Sequence, residues 1–220
     1  MTSEFSKSQI NRLGERLRKD QHQQSDLELL DAFRTSFGDA QESVIRTLRD
    51  LGLDPTGRIA KTTPSIIAKL KRGSISLPSI QDIAGCRVIV DSIAEQKRVA
   101  GLVIGAFPAS KVVDRRAKPS HGYRAIHVIV KMDEKRVEIQ IRTELQHLWA
   151  RLSEGWADAA GQSIKYGGGP SEIQAILQIH SELVAETEAQ EHALSTRFTQ
   201  GVKESLNREI LRISTGEQTP

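Results

Sequence analysis

The segment GYRAIHVIVKMDEKRVEIQIRT, residues 122–143, contains two runs in which apolar and polar side chains alternate. In the second run, Val137, Ile139, Ile141 and Thr143 fall on one face of a strand, because successive side chains of a strand point to opposite faces. The other face carries Arg136, Glu138, Gln140 and Arg142. The first run alternates in the same way, and Met132–Lys135 is a short polar connector. We therefore predict a β-hairpin.

One face of this hairpin has an unusual mixture of side chains. If the apolar faces of the two strands align, the opposite face gathers an aromatic ring, an imidazole, a carboxylate, an amide and a guanidinium. These belong to Tyr123, His127, Glu138, Gln140 and Arg142. A solvated outer face would also explain such alternation. The mixture is instead typical of ligand sites, and we predict a binding or catalytic surface.

Length and composition indicate the class of protein. A chain of 220 residues can form one domain with helical additions, and its net charge of +3 is too small by itself to indicate nucleic-acid binding. The single cysteine, Cys86, lies in the apolar run CRVIV, so we expect a buried hydrophobe and no disulfide. We find no signal peptide and no apolar run that could cross a bilayer. We expect a soluble cytoplasmic protein with no membrane partner.

Basic residues cluster in two places along the chain. The first group is Arg58, Lys61, Lys69, Lys71 and Arg72, and the second is Lys111, Arg115, Arg116 and Lys118. Each group could simply be a solvated loop. Because the negative oxygens of a polyphosphate need several cations, two such groups around a predicted sheet indicate a polyphosphate ligand.

The stretch from Arg58 to Gly73 has the features of a phosphate-binding helix. We predict an N-cap at Thr63, a proline in the first turn and a stop at Gly73. Lys61 then precedes the helix N-terminus, where free N–H groups and the helix dipole favour anions, and Lys69 follows one turn into the helix.

Asp82 lies just before a predicted strand. We expect a short helix from Ser79 to Gly85, followed by a buried strand over Cys86–Val90. The aspartate could be a turn or cap residue. It could also be a metal ligand, because Mg²⁺ bound to nucleotide phosphates takes only one or two protein carboxylates, and Asp82 with Glu138 would supply them.

The rest of the chain alternates predicted helices, strands and loops. Residues 1–55 are predicted to be helical, followed by an α/β domain over 56–169 and a helical extension over 170–220. Within this scheme we expect a helix at Ser92–Ala106, a strand at Ser110–Val113, a helix at Thr143–Ala160 and a flexible glycine loop at Lys165–Pro170. From Ser171 to Ile213 we expect one long helix or a pair. It carries an apolar stripe that packs on the domain or pairs with another copy. The stripe is Leu183, Leu194, Phe198, Val202, Leu206 and Ile210.

Five segments in order resemble the RelA/SpoT synthetase domain, that of the (p)ppGpp (alarmone) synthetases. They are GRIAK, SIIAKLKR, DIAGCRVIV, GYRAIH and EIQIRTELQHLWA, and the resemblance runs from about Arg58 to Tyr166. It implies an α/β fold, a nucleotidyltransferase-like mixed β-sheet flanked by helices. The helical N- and C-terminal segments would be extensions of that fold.

The resemblance also implies an activity and a set of site residues. The reaction would transfer pyrophosphate from ATP to the 3′-hydroxyl of GDP or GTP and release AMP. Asp82 and Glu138 would be catalytic and would bind Mg²⁺, with Glu138 also helping to deprotonate the hydroxyl. The ATP-binding residues would be Arg58, Lys61, Ser65, Lys69 and Arg87. The residues that bind the acceptor nucleotide would be Tyr123, His127, Gln140, Arg142 and Lys118, with Tyr123 stacked on the base.

Departures from the family pattern leave the acceptor open. The segment from Asp114 to His121 has arginines where a tyrosine is usual, and its lysine is displaced. The acceptor could be GDP, GTP, an adenosine nucleotide or the 3′ end of tRNA. The arginine-rich segment from Asp114 to Lys118 could bind an RNA backbone, and so could a basic N-terminal helix with Arg12, Arg16, Arg18 and Lys19. We find no His-Asp hydrolase signature, so the resemblance implies synthesis without degradation.

Two other classes of function compete with this one. The chain could be an inactive module that senses nucleotides, although both acidic residues are present. It could be a general RNA-binding domain, although its aromatic content of 4% offers few stacking platforms. Because small members of the family are often tetramers, we also expect a homo-oligomer.

Overall fold

The computed structural model describes residues 5–58, 61–190 and 196–215, and these residues form a mixed five-stranded β-sheet flanked by helices. The strands are β1 (Thr56–Arg58), β2 (Ala84–Val90), β3 (Lys111–Asp114), β4 (Ile126–Met132) and β5 (Lys135–Thr143). Their order in the sheet is β1-β2-β5-β4-β3, and β1 pairs antiparallel with β2. The predicted fold class and the predicted hairpin of β4 and β5 are confirmed.

The N-terminal and C-terminal parts of the chain are helical, as predicted. They are α1 (Lys7–Arg18), α2 (Gln24–Thr35), α3 (Gly38–Asp50), α4 (Thr63–Arg72), α5 (Ile93–Ala106), α6 (Glu144–Ala160), α7 (Ser171–Ala189) and α8 (Thr196–Thr215). Two 3-10 helices, Leu77–Ser79 and Gln162–Tyr166, connect longer elements. Among the residues described, no helix is both long and apolar enough to span a membrane.

The central strand β5 is buried on both faces. Val137, Ile139 and Ile141 are completely buried, as the alternating pattern predicts. The polar face is also covered, with Glu138 9% and Arg142 3% exposed. Strand β5 has a neighbouring strand on each edge, and the side chains on both of its faces are also buried. The alternative of a solvated outer face is therefore wrong for this strand.

The segment before β2 differs from the prediction. The expected helix from Ser79 to Gly85 is replaced by the 3-10 helix Leu77–Ser79 and an extended connection into β2. Ile80 and Ile83 are buried in the apolar cluster that also contains residues of α1 and α4. The Ile83 carbonyl accepts a hydrogen bond from the Lys61 backbone N–H at 2.9 Å. Tertiary packing and this bond stabilise the extended backbone.

Helix α4 begins one residue earlier than predicted. Thr62, not Thr63, is the N-cap, and its hydroxyl accepts a hydrogen bond from the Ser65 N–H at 3.4 Å. The helix ends before Gly73, as predicted, but Gly73 has an extended backbone with φ −110°. The left-handed conformation that usually favours glycine at this place is absent there.

The chain divides into two compact units whose boundaries fall within the strands β2, β3, β4 and β5 and within helix α5. Unit 1 comprises Met1–Val88, Leu102–Val112 and Val128–Gln140; unit 2 comprises Ile89–Gly101, Val113–His127 and Ile141–Pro220. The apolar cluster of unit 1 includes Leu13, Leu30, Ile66, Leu70 and Leu77. Arg18 ties α1 to the end of α4, because its guanidinium donates to the carbonyls of Leu70 and Ile75.

In unit 2, α6, α7 and α8 share an apolar cluster. Val202 and Leu206 of α8 are buried in it, and Leu183 and Ile210 pack against it. These members of the apolar stripe therefore pack on their own domain. Leu194 and the side chain of Phe198 lie outside the described residues.

The glycine loop after α6 is held by several contacts. Lys165 and Tyr166 belong to a 3-10 helix, and the Gln174 amide donates to the carbonyls of Ile164 at 3.0 Å and Gly168 at 2.7 Å. We predicted a flexible loop here. The sequence pattern missed the contacts from α7 that fix its backbone.

Candidate active site

In unit 1, Asp82 is held between two lysines. Lys61 Nζ lies 2.9 Å from Asp82 Oδ2, and Lys69 Nζ lies 2.7 Å from Asp82 Oδ1. The aspartate side chain is only 13% exposed. Lys61 comes just before α4 and Lys69 lies within it, so this helix and the start of β2 bring the three side chains together. The cluster unites a proposed metal ligand with two proposed phosphate ligands.

The two lysines determine the protonation of Asp82. Burial raises the pKa of a carboxyl group, but attraction to Lys61 and Lys69 and their hydrogen bonds outweigh burial and lower the pKa of Asp82 to about 2. The carboxylate is therefore ionised at neutral pH and suited to bind a cation.

Glu138 lies on β5 beside the start of β2. An ideal Cβ placed on Gly85 would come within 2.6 Å of the Glu138 backbone oxygen and 3.6 Å of its Cβ. Only glycine leaves room for this approach, so Gly85 is a site-forming residue that the sequence reading overlooked. The Gln140 amide Nε2 donates to Glu138 Oε2 at 2.7 Å, which fixes the orientation of the carboxylate.

Cys86 follows Gly85 and is not a reactive thiol. It is completely buried, as predicted, and burial together with the charge of Glu138 raises its pKa to about 12. The thiolate that nucleophilic chemistry would need does not form at neutral pH.

The other residues expected to bind ATP also belong to unit 1. Gly85 pairs in register with Arg58, whose side chain lies outside the described residues. Arg87 is half-buried on β2 and pairs in register with Thr56. Ser65 lies in the first turn of α4, where its hydroxyl accepts from the N-cap Thr62 at 2.9 Å. Their roles toward ATP stay predictions.

In unit 2, Tyr123 is the centre of a second polar cluster. Its hydroxyl accepts a hydrogen bond from Arg142 Nη2 at 2.9 Å and lies 3.0 Å from His127 Nε2. The Arg142 guanidinium carbon is 5.0 Å from the centroid of the tyrosine ring, within the range of a cation–π contact. Two of the residues predicted for the acceptor, His127 and Arg142, therefore contact a third, Tyr123.

A glycine and a tryptophan support the Tyr123 backbone. Gly122 has a φ of +84°, which disfavours any other residue, and a Cβ there would lie 2.6 Å from the Trp149 ring. The Trp149 indole donates to the Leu177 carbonyl at 2.9 Å. The sequence predicts Trp149 to be a core residue, and Trp149 is indeed buried. Its ring also packs against Gly122 in this turn.

The basic segment before β4 contains Lys118 and Arg116, which differ in their surroundings. Lys118 is exposed. Arg116 forms an ion pair with Asp114 at 2.6 Å, and its backbone carbonyl accepts from Arg124 at 2.6 Å. Arg116 therefore has a structural role in this segment, and the role of Lys118 toward the acceptor stays a prediction.

The carboxylates of Asp82 and Glu138 are of the kind that binds a Mg²⁺ ion already coordinated by nucleotide phosphates. Within the described residues there is no group of three or more His, Cys, Asp or Glu side chains that could hold a metal ion. Mg²⁺ commonly takes one or two carboxylates and fills its other positions with water and phosphate oxygens. Asp82 and Glu138 each offer carboxylate oxygens of that kind, and their joint role toward Mg²⁺ stays a prediction.

Comparisons with curated proteins identify relatives of part of this chain. An uncharacterized protein of Mycobacterium tuberculosis (strain ATCC 25618 / H37Rv) is 43% identical over 120 residues, which are 53% of this chain and 44% of the relative. A probable chloroplastic GTP diphosphokinase of Arabidopsis thaliana, RSH3, is 30% identical over 148 residues, which are 62% of this chain and 20% of the relative. The matches thus span less than half of each relative's length.

Solved structures match a larger share of the chain. The small alarmone synthetase 1 from Bacillus subtilis, bound to its product pppGpp, superimposes with a TM-score of 0.56 and 26% identity, covering 75% of this chain and 95% of that one. A second structure of the same enzyme gives a TM-score of 0.58 and 25% identity, with coverage of 80% and 99%. A family described as "Region found in RelA / SpoT proteins" matches residues 57–160. Residues 57–160 therefore form a RelA/SpoT-type domain with the fold of the small alarmone synthetases.

Proposed function

We propose that this protein is a pyrophosphokinase that transfers the terminal pyrophosphate of ATP to the 3′-hydroxyl of GDP or GTP, forming (p)ppGpp and AMP. The observation that carries the proposal is the Lys61–Asp82–Lys69 cluster within the RelA/SpoT-type domain. The name of the Arabidopsis relative and the pppGpp bound to the Bacillus enzyme support the same reaction.

Unit 1 would bind the donor nucleotide. The ammonium groups of Lys61 and Lys69 neutralise Asp82 in the nucleotide-free protein. The phosphates of ATP carry more negative charge than Asp82, so the two lysines would pair with them instead. The Asp82 carboxylate would then be able to bind a cation. A Mg²⁺ held by Asp82 and Glu138 would neutralise charge on the transferring phosphates. Arg58, Ser65 and Arg87 would complete the ATP site.

Glu138 would act as the general base. The 3′ oxygen attacks the β-phosphorus of ATP, the bond to the α,β-bridging oxygen breaks, and AMP leaves with that oxygen. The hydroxyl proton passes to the Glu138 carboxylate. Gln140 donates to one oxygen of this carboxylate and so orients the group.

Unit 2 would bind the acceptor. Tyr123 would stack on the base, because an aromatic ring offers an extended apolar face, and Arg142 and His127 hold its hydroxyl. His127 and Lys118 would supply further polar contacts to the acceptor, and the contact expected of Gln140, a residue of unit 1, stays a prediction.

The ion pairs favour a nucleotide over tRNA as the acceptor. An RNA backbone requires accessible cations. Arg16 is paired with Asp26 at 2.6 Å, Arg18 donates to backbone carbonyls, and Arg116 is paired with Asp114. Three arginines that the sequence offered for RNA therefore stabilise the protein itself.

An acceptor panel tests the proposal. Purified protein is incubated with Mg²⁺ and ATP labelled in the γ-phosphate, together with GDP, GTP, ADP or deacylated tRNA, and the products are separated by chromatography. We expect label in a guanosine tetraphosphate or pentaphosphate. Label only in ADP-derived nucleotides or only in tRNA would identify the other acceptors, and no labelled product with any acceptor would support an inactive module.

A further inference from the structure

Ser181 of α7 makes two hydrogen bonds to the turn that carries Tyr123, one buried and one partly buried. Its hydroxyl donates to the Gly122 carbonyl at 2.7 Å and accepts from Arg124 Nε at 3.3 Å. The serine is only 2% exposed. Ser181 lies outside residues 57–160, so the RelA/SpoT-type domain obtains this contact from helix α7, which follows it in the sequence.

Arg124 extends the connection to the segment before the turn. While its Nε donates to Ser181, its Nη1 donates to the Arg116 carbonyl at 2.6 Å. The planar guanidinium presents these donors in a fixed fork, which a lysine cannot reproduce. The two ends of the segment 116–122 are thereby held by one arginine and one serine.

Two further contacts restrain the turn that carries Tyr123. The Tyr123 N–H donates to the Ser120 carbonyl at 3.0 Å, and Gly122 lies against the Trp149 ring. The Ser181 hydroxyl fixes the carbonyl that directly precedes Tyr123 in the backbone. We therefore expect a change at Ser181 to affect the position of Tyr123.

We propose that Ser181 is a positioning residue, which acts through Gly122 and Arg124 to hold the Tyr123 ring in place for the acceptor base. The role of Tyr123 toward the acceptor rests on the proposed function. Removing the hydroxyl leaves a buried carbonyl and a partly buried guanidinium N–H without this partner, and the loss of these hydrogen bonds weakens the turn.

Hydrogen exchange of the full-length protein tests the positioning directly. In Ser181→Ala we expect faster amide exchange in a peptide covering residues 115–124, by about tenfold, and unchanged exchange around Lys61 and Lys69. Ser171→Ala, on the exposed first turn of the same helix, is the matched control and should leave both regions unchanged. Unchanged exchange in 115–124, or an equal rise throughout the chain, would overturn the proposal.

Kinetics provide the second measurement. We expect Ser181→Ala to raise the KM for the guanosine acceptor by about tenfold and to leave the KM for ATP within about twofold. Ser181→Cys, which keeps a weak donor, should restore part of the loss, and Arg124→Lys should reproduce it. Equal changes in both KM values would contradict positioning. If the wild type transfers no pyrophosphate, the proposed function fails, while the exchange result still decides the role of Ser181.

Discussion

At the scale of single residues, the proposed function requires a metal ion to compete with two lysines for Asp82. The carboxylate is nearly buried and already has two cationic partners at 2.7–2.9 Å. A free divalent ion must displace at least one of them, whereas a metal–nucleotide complex brings phosphates that give the lysines new partners. We therefore expect metal and nucleotide to bind together much better than the metal binds alone.

Binding of Mn²⁺, followed by electron paramagnetic resonance without nucleotide, measures this competition. We expect weak binding to the wild type and about tenfold tighter binding to Lys69→Met, since a tenfold change corresponds to about one pKa unit of interaction. Lys71→Met is the control, because Lys71 lies on the same helix but pairs with Asp20. Equal Mn²⁺ affinity in all three proteins would refute the competition.

The depressed pKa of Asp82 has a consequence for stability. A carboxyl whose folded pKa is about 2, against an ordinary 3.8, stabilises the fold at pH values above the ordinary value. In metal-free buffer, the wild type should lose about 2 kcal/mol relative to Asp82→Asn as the pH falls from about 5 to below 2. Denaturant unfolding at several pH values checks this. A difference between the two proteins that does not change with pH would show that the lysines do not hold the carboxylate ionised.

The role of Glu138 is tested by a matched pair of variants. Glu138→Gln keeps the size of the side chain but cannot accept the hydroxyl proton, so we expect kcat to fall by about 10²–10⁴ with ATP still bound. Glu134→Gln lies in the exposed connector of the same hairpin, where its carboxylate pairs with Lys131, and should retain full activity. Initial rates and a nucleotide-binding titration check both. Full activity of Glu138→Gln would exclude the mechanism.

At the scale of elements, alternation predicts the hairpin and helical spacing predicts most of the helices, but helical spacing fails for the segment before β2. The hairpin of β4 and β5 follows from a pattern that only a strand explains. By contrast, Ile80 and Ile83 have a spacing that fits a helix, but they are buried equally well in extended backbone. The N-cap was placed one residue too late because Thr62 and Thr63 are adjacent and chemically identical.

Helix α1 supports the segment that leads to Asp82. An ideal Cβ on Gly14 would lie 2.8 Å from the Leu77 Cβ, which cannot move without its backbone. We expect Gly14→Ala to lower the free energy of unfolding by about 1–3 kcal/mol, through overpacking.

The control for this change is Gly101→Ala. Gly101 lies within α5 with open space around its Cβ position, so alanine should be neutral or stabilise the protein by up to about 1 kcal/mol. Denaturant unfolding of both variants checks the pair. An equal effect at the two glycines would show that the contact with Leu77 does not constrain α1.

At the scale of the whole molecule, the residue types of the site could be predicted, but not their contacts. The segment order indicated Asp82, Glu138 and Tyr123, whereas the bond between Ser181 and Gly122 joins residues 59 positions apart. No local pattern encodes such a contact. The division at residues 55 and 169, the homo-oligomer and the cytoplasmic location stay predictions.

The central claim is that an intact pyrophosphate leaves ATP, and the β-phosphate reports it most directly. Protein, Mg²⁺ and GDP are incubated with ATP that carries ³²P in the β position, and the products are separated and digested. The account predicts that the β label moves to the 3′ position of the guanosine nucleotide, with one unlabelled AMP formed for each product. Label retained in ADP, with only the γ-phosphate transferred, would identify an ordinary phosphotransferase and contradict the account.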